Sequence, residues 1–202
     1  IENDVKAIVI ACNTATSVAI TTLREKYDLP IIGMEPAVKK ALDENDTMRV
    51  LVCATPITVR GKKLKQLIER VDNHHLVDLL PLPQLVRFAE TGEFDSKAVT
   101  SYLSEELSRF DLTKESSLVL GCTHFNYFKD SFRKLLPDSV KFVDGNEGTV
   151  NQLYRKLQEN GLLENNRQSI EFYYSKEKVT DEAELKRIDS LFERLDKMFD
   201  LK

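Results

Sequence analysis

The chain runs to 202 residues, 42% apolar and 31% charged, with a net charge of −4, enough to bury a real core in one domain or two modest ones. Tryptophan is absent and aromatics make up 8%, which with the acidic balance argues against a nucleic-acid or anionic-membrane partner. Three cysteines without C-x-x-C spacing fit a reducing cytoplasm, and no apolar run nears the roughly 20 residues a membrane helix needs.

Residues 7–11 (AIVIA) are a continuous apolar run and read as a central parallel strand covered on both faces. Val18, Ile20, Leu23 and Tyr27 follow on a predicted helix that Asp28-Leu29-Pro30 ends. Short strands are predicted over 30–34 (PIIGM) and 49–54 (RVLVCA). Leu64, Leu67, Ile68 and Val71 then give the stripe of an amphipathic helix. Residues 75–80 read as a strand ending at the breaker Pro81-Leu82-Pro83. Asp95-Ser96 predicts a helix start, with Val99, Leu103, Leu107 and Phe110 on one face.

A strand over 117–120 precedes a predicted helix using Phe128, Phe132, Leu135 and Leu136. A strand over 140–143 leads to a helix with Val150, Leu153, Tyr154 and Leu157, stopped by Gly161. A late strand over 170–174 and a closing helix carrying Leu185, Ile188, Phe192, Leu195 and Phe199 complete the pattern. Strand–helix alternation of this kind predicts an α/β protein with mostly parallel sheet, and ligands in such sheets sit beyond the carboxyl ends of strands. Domain crossings are expected near 34–40 and 144–149.

Two stretches say nearly the same thing: AIVIACNTAT at 7–16 and SLVLGCTHF at 117–125. Cys53, inside RVLVCA, reads as a small core hydrophobe. Cys12 differs, because Asn13, Thr14 and Thr16 favour caps and turns and put it at a strand end near a helix start, where the dipole and free N–H groups favour a thiolate. Cys122 has the same setting between Gly121 and Thr123-His124. Two thiols facing each other across a small carbon acid can remove a proton from one side and return one to the other, which inverts a stereocentre. The carbanion between these steps needs fixed donors around its carboxylate, and Asn13, Thr14, Thr123 and nearby backbone N–H groups are of the right kind. His124 is placed to stabilise a thiolate or shuttle a proton.

ACNTAT around Cys12 and LGCTHF around Cys122 closely resemble the paired signatures of the glutamate racemase family, cofactor-independent members of the aspartate/glutamate racemase superfamily. VDGNEGTV at 143–150 is also similar, so the likeness runs from about 5 to 160 and more loosely beyond. His124 after GCT resembles the glutamate branch more than the aspartate branch. The resemblance implies two Rossmann-like pseudo-symmetric halves around a central cleft: a discontinuous one, 1–37 plus 146–202, and another, 38–145. It implies Cys12 and Cys122 as the acid/base pair, with Asn13, Thr14, Thr123 and His124 at matching site positions. Thr58, in ATPITV, matches a substrate-contacting threonine, although Ile57 stands where the family has glycine. Glu90, in PQLVRFAET, resembles a glutamate that assists one thiol. His74 and His75 read as surface residues.

By the same resemblance the substrate is glutamate, the D-enantiomer feeds peptidoglycan synthesis in the cytoplasm, no cofactor or metal is needed, and a homodimer is common. The family also carries Asp-Ser and Pro-Tyr-Gly segments ahead of its first cysteine motif. With Cys12 so near the start, the first half is expected to be incomplete here. Asn126 departs from the usual aromatic-proline after GCT, a change expected to affect only the turn. Competing readings are an aspartate or related racemase, a thiol hydrolase or transferase using one cysteine with His124, a metal site of Cys12, Cys122 and His124, and a non-catalytic binding remnant.

Overall fold

In the computed structural model, which describes residues 4–164 and 168–201, the chain opens with β1 (Ile8–Ile10), α1 (Asn13–Lys26) and β2 (Ile31–Gly33). Residues 1–3 lie outside the described residues. β1 and β2 pair in parallel, with Ile8 opposite Ile31. The run at 7–11, expected to be a central strand covered on both faces, is paired on one side alone among the described residues, and Val9 is 38% exposed. An apolar run predicts a strand; it does not fix how many neighbours that strand has.

After α2 (Val38–Glu44) the chain enters a second sheet at β3 (Arg49–Ala54), then passes through α3 (Pro56–Arg60) and α4 (Lys62–Val71) to β4 (Val77–Pro81). α5 (Pro83–Glu90) and α6 (Lys97–Leu107) lead to β5 (Glu115–Leu120), and α7 (Lys129–Arg133) to β6 (Lys141–Val143). The strand order is β4-β3-β5-β6, all parallel. This is the α/β class expected from the alternation of elements.

The period-two geometry of β3 explains the layering. Leu51 and Cys53 point into one apolar cluster with Leu80, Leu103, Leu118, Leu120, Phe128 and Phe132. Val50 and Val52 point into the other, with Val38, Ala41, Leu64, Val119 and Val143. A strand buried on both faces reads as a continuous aliphatic run, as RVLVCA does. Gly121, just past β5, is held close to β3: its N–H donates to the Cys53 carbonyl at 2.7 Å, and an added Cβ would lie 2.9 Å from that oxygen.

The helix expected after Cys122 is a 3₁₀ turn over Thr123–Phe128 followed by the short α7. In a 3₁₀ turn residues three apart eclipse, so Phe125 and Phe128 share a face, and both are fully buried. The apolar spacing thus drives the tighter helix. Asn126 tucks into this turn, its Nδ2 donating to the Thr123 carbonyl at 3.3 Å.

α8 (Asn146–Glu159) contacts β2, and Gly145 ahead of it allows a close approach, since a Cβ there would meet the Glu35 carbonyl at 2.7 Å. Val150 and Tyr154 on α8 are exposed, as is Val18 on α1, so the apolar stripes of these two helices are only partly used. The strand expected over 170–174 is reduced to β7 (Tyr173–Tyr174), which forms an exposed antiparallel pair with β8 (Glu177–Lys178). α9 (Glu182–Phe199) packs on the 3₁₀ turn, where Arg194 donates to the Tyr127 carbonyl and to both Asp130 carboxylate oxygens at 2.7 and 2.8 Å. Ile188 and Met198 are buried there, whereas Phe192 and Phe199 are exposed. No helix of the described residues is long and apolar enough to cross a membrane.

Candidate active site

Cys12 is the N-cap of α1: its backbone is extended and its Sγ accepts from the Ala15 N–H at 3.4 Å. The partly buried thiol thus takes up one of the N–H groups that the first turn of a helix leaves without a backbone partner. The turn itself is braced by Thr16, which is 1% exposed. Thr16 N–H donates to the Cys12 carbonyl at 2.9 Å, and its hydroxyl donates to the Ile10 carbonyl at 3.2 Å and accepts from the Met34 N–H at 3.1 Å. Asn13 is 4% exposed, and its Oδ1 has no hydrogen-bond partner among the described residues.

Thr14, on α1, faces α3. Its hydroxyl shares hydrogen bonds with Thr55 at 2.7 Å and with Thr58 at 3.1 Å, and Thr55 and Thr58 bond each other at 3.1 Å. Thr58 is 2% exposed and Thr55 caps α3 by accepting from the Thr58 N–H. Thr55 was not singled out in the sequence. Its signal was present: a threonine followed by proline and, three residues on, another hydroxyl is the start of a capped helix.

Cys122 occupies the equivalent position beyond β5, at the head of the 3₁₀ turn. Its Sγ lies 3.8 Å from His124 Nδ1, and His124 Nε2 lies 2.8 Å from Glu90 Oε1 at the end of α5. The three residues form a chain, thiol to imidazole to carboxylate. If Nε2–H donates to Glu90, Nδ1 is left free to accept from the thiol. The setting of Cys122 resembles that of Cys12 in the sequence, but it does not favour a thiolate. Burial pushes its thiol up to about 11, only partly offset by the His124 and Phe125 N–H groups, and a charge on Cys12 would push it further. The sequence shows the helix-start dipole but not the depth of burial, and here burial wins.

A groove of about 280 Å³ opens beside Thr123 and His124, lined also by Asn126, Tyr127, Asn146 and Leu195. Cys53 is fully buried and its thiol is pushed up by burial, as a core residue should be. His74 and His75 are exposed at the opposite end of the sheet. Among the described residues no group of three or more His, Cys, Asp or Glu side chains is arranged to hold a metal ion.

Paired parallel sheets, each ending in a thiol at a helix start, agree with what the sequence matches. Residues 1–153 match the family described as Asp/Glu/Hydantoin racemase. The glutamate racemase of Campylobacter curvus is 55% identical over 208 residues, covering 100% of this chain and 78% of the relative. Among solved structures, Escherichia coli glutamate racemase in complex with L-glutamate and the activator UDP-MurNAc-ala superposes with a TM-score of 0.69 at 30% identity, covering 77% of this chain and 59% of that one. Francisella tularensis glutamate racemase in complex with D-glutamate gives 0.69 at 31% identity, covering 82% of this chain and 62% of that one. The chain therefore spans about three quarters of the curated relative and about three fifths of the solved chains. It belongs to the Asp/Glu/hydantoin racemase family and, within it, to the glutamate racemases, isomerases that act on an amino acid.

Proposed function

We propose that the protein interconverts L- and D-glutamate without a cofactor, using Cys12 and Cys122 on opposite faces of the substrate. The observation that carries this reading is the pair of thiols at equivalent strand ends, one with a helix-start N–H and the other with an imidazole–carboxylate chain behind it. In the forward sense Cys12 as thiolate takes the α-proton, and the electron pair left on carbon spreads into the α-carboxylate. Cys122 as thiol then gives its proton to the other face, so the substrate gains one proton and loses one.

Burial holds the Cys122 thiol high, at about 11, which makes it the proton donor at rest. In the reverse sense Cys122 must become the base, and His124, oriented by Glu90, takes its proton. Asn13, Thr14 and Thr123 are proposed to hold the substrate carboxylates and ammonium, with Thr58 acting through the hydroxyl triangle it shares with Thr14 and Thr55.

Residues 1–37 with 146–202, and 38–145, are proposed as the two halves flanking the substrate. α8 against β2 supports joining the later segment to the first, while α9 reaches over the second. D-glutamate for peptidoglycan, a cytoplasmic location and a homodimer are parts of the same proposal, resting on likeness to the relatives. The test is direct: purified protein is incubated with L-glutamate or D-glutamate and the enantiomers are separated by chiral chromatography. Both should converge on an equal mixture. Conversion of aspartate but not glutamate would move the reading to another substrate of the family, and no conversion of either would reject it.

A further inference from the structure

Lys63, on α4, belongs to the half that carries Cys122, yet its ammonium donates to the Thr16 carbonyl in the first turn of α1 at 3.2 Å. It makes no ion pair among the described residues, although Glu35 lines the same pocket as Lys63. Lys63 shares with Asn13, Thr16 and Thr58 the wall of this small, partly open pocket of about 20 Å³, room for a single water. Asn13, whose buried Oδ1 has no partner among the described residues, also lines this pocket.

Thr16 is the residue through which this contact bears on the chemistry. It holds the Cys12 carbonyl, the end of β1 and the exit of β2 at once. A cation fixed to its carbonyl from across the cleft therefore braces the turn that aims the Cys12 thiol. The hydroxyl triangle of Thr14, Thr55 and Thr58 ties the same turn of α1 to α3, but it is neutral.

We infer that Lys63 is a positioning residue for Cys12, a strut from the second half that fixes the first turn of α1 and thereby sets the Cys12 thiol against the substrate. The inference rests on the two-thiol reading for its consequence in turnover, but not for its effect on the thiol. Misplacing a reacting group by a fraction of an ångström lowers the rate with little loss of binding, so Lys63→Met should reduce kcat about tenfold while KM changes less than about twofold. Lys63→Arg, which keeps a charged donor, should restore most of the rate. Lys63→Gln, readily accepted at a half-exposed helical position, stands in for the methionine variant if that one proves unfolded by circular dichroism.

The second readout is alkylation of each cysteine by iodoacetamide at pH 8, followed by peptide mass spectrometry. Loss of the strut should change the rate of Cys12 modification about threefold, because the turn that presents the thiol loosens, and leave Cys122 unchanged. Cys53, fully buried, reports unfolding. Unchanged Cys12 modification in both neutral variants would overturn the proposal, whatever happens to turnover. Equal changes at Cys12, Cys122 and Cys53 would also overturn it, because Lys63 would then support the fold and not the thiol. If the wild-type protein fails to convert glutamate, the racemase reading fails by itself, and the alkylation comparison still decides the role of Lys63.

Discussion

Glu115→Gln tests whether a buried carboxyl at the entry of β5 limits stability above neutral pH. Glu115 is 2% exposed, and its Oε2 has no hydrogen-bond partner. It sits beside the ion pair in which Arg49 Nε and Nη2 donate to the two Asp78 oxygens, the Nη2 bond being 2.6 Å. Burial first, and then the negative charge of Asp78, raise its pKa from the usual 4.5 to about 7, against the pull of Arg49. The folded state thus holds a proton that the unfolded chain releases between those values. The stability that this proton confers is complete below pH 4.5, falls as pH rises, and is gone above about pH 7.

The full effect is about 3 kcal/mol, of which about 2 kcal/mol disappears between pH 5.5 and 8. Glutamine keeps the shape and an N–H donor for Asp78 but carries no titrating group. Urea unfolding of wild type and variant at pH 5.5 and pH 8 gives four free energies. Their double difference should show the wild type losing about 2 kcal/mol more than Glu115→Gln over this interval. A double difference near zero would mean that Glu115 is ionised throughout, and the reasoning from burial would be refuted.

Glu90→Gln removes the carboxylate that orients His124 while leaving a hydrogen-bond acceptor, and should lower kcat about ten- to a hundredfold in steady-state assays without changing the urea midpoint. An unchanged kcat would remove Glu90 from the machinery. Gly121→Ala places a Cβ 2.9 Å from the Cys53 carbonyl and should cost about 1–3 kcal/mol in urea unfolding, the ordinary penalty of overpacking. A variant as stable as wild type would show that the junction of β5 and β3 has slack.

Much of this architecture was legible because both central strands are buried on both faces. RVLVCA and SLVL read directly as β3 and the body of β5, and the stripe on Leu64, Leu67, Ile68 and Val71 as α4. Cys12 and Cys122 at strand ends were legible from the polar and small residues packed around them. What the sequence hid was tertiary. α5 was missed because Pro81-Leu82-Pro83 reads as a breaker, whereas Pro83 serves as the first residue of a helix. The burial that raises the Cys122 thiol was hidden, since composition shows the dipole and not the depth. The contacts of Thr55 and Lys63 with α1 join residues 41 and 47 positions apart, a separation no local pattern encodes.

The central claim, two thiols working on opposite faces of one carbon, is tested most directly in D₂O. L- and D-glutamate are incubated separately with wild type, Cys12→Ser and Cys122→Ser, and deuterium at the α-carbon is followed by proton NMR alongside enantiomer composition. Each enantiomer formed by the wild-type protein should carry one α-deuterium, and neither serine variant should interconvert the enantiomers. Interconversion at the wild-type rate in either variant, or product that keeps its α-proton throughout, would contradict the two-thiol account.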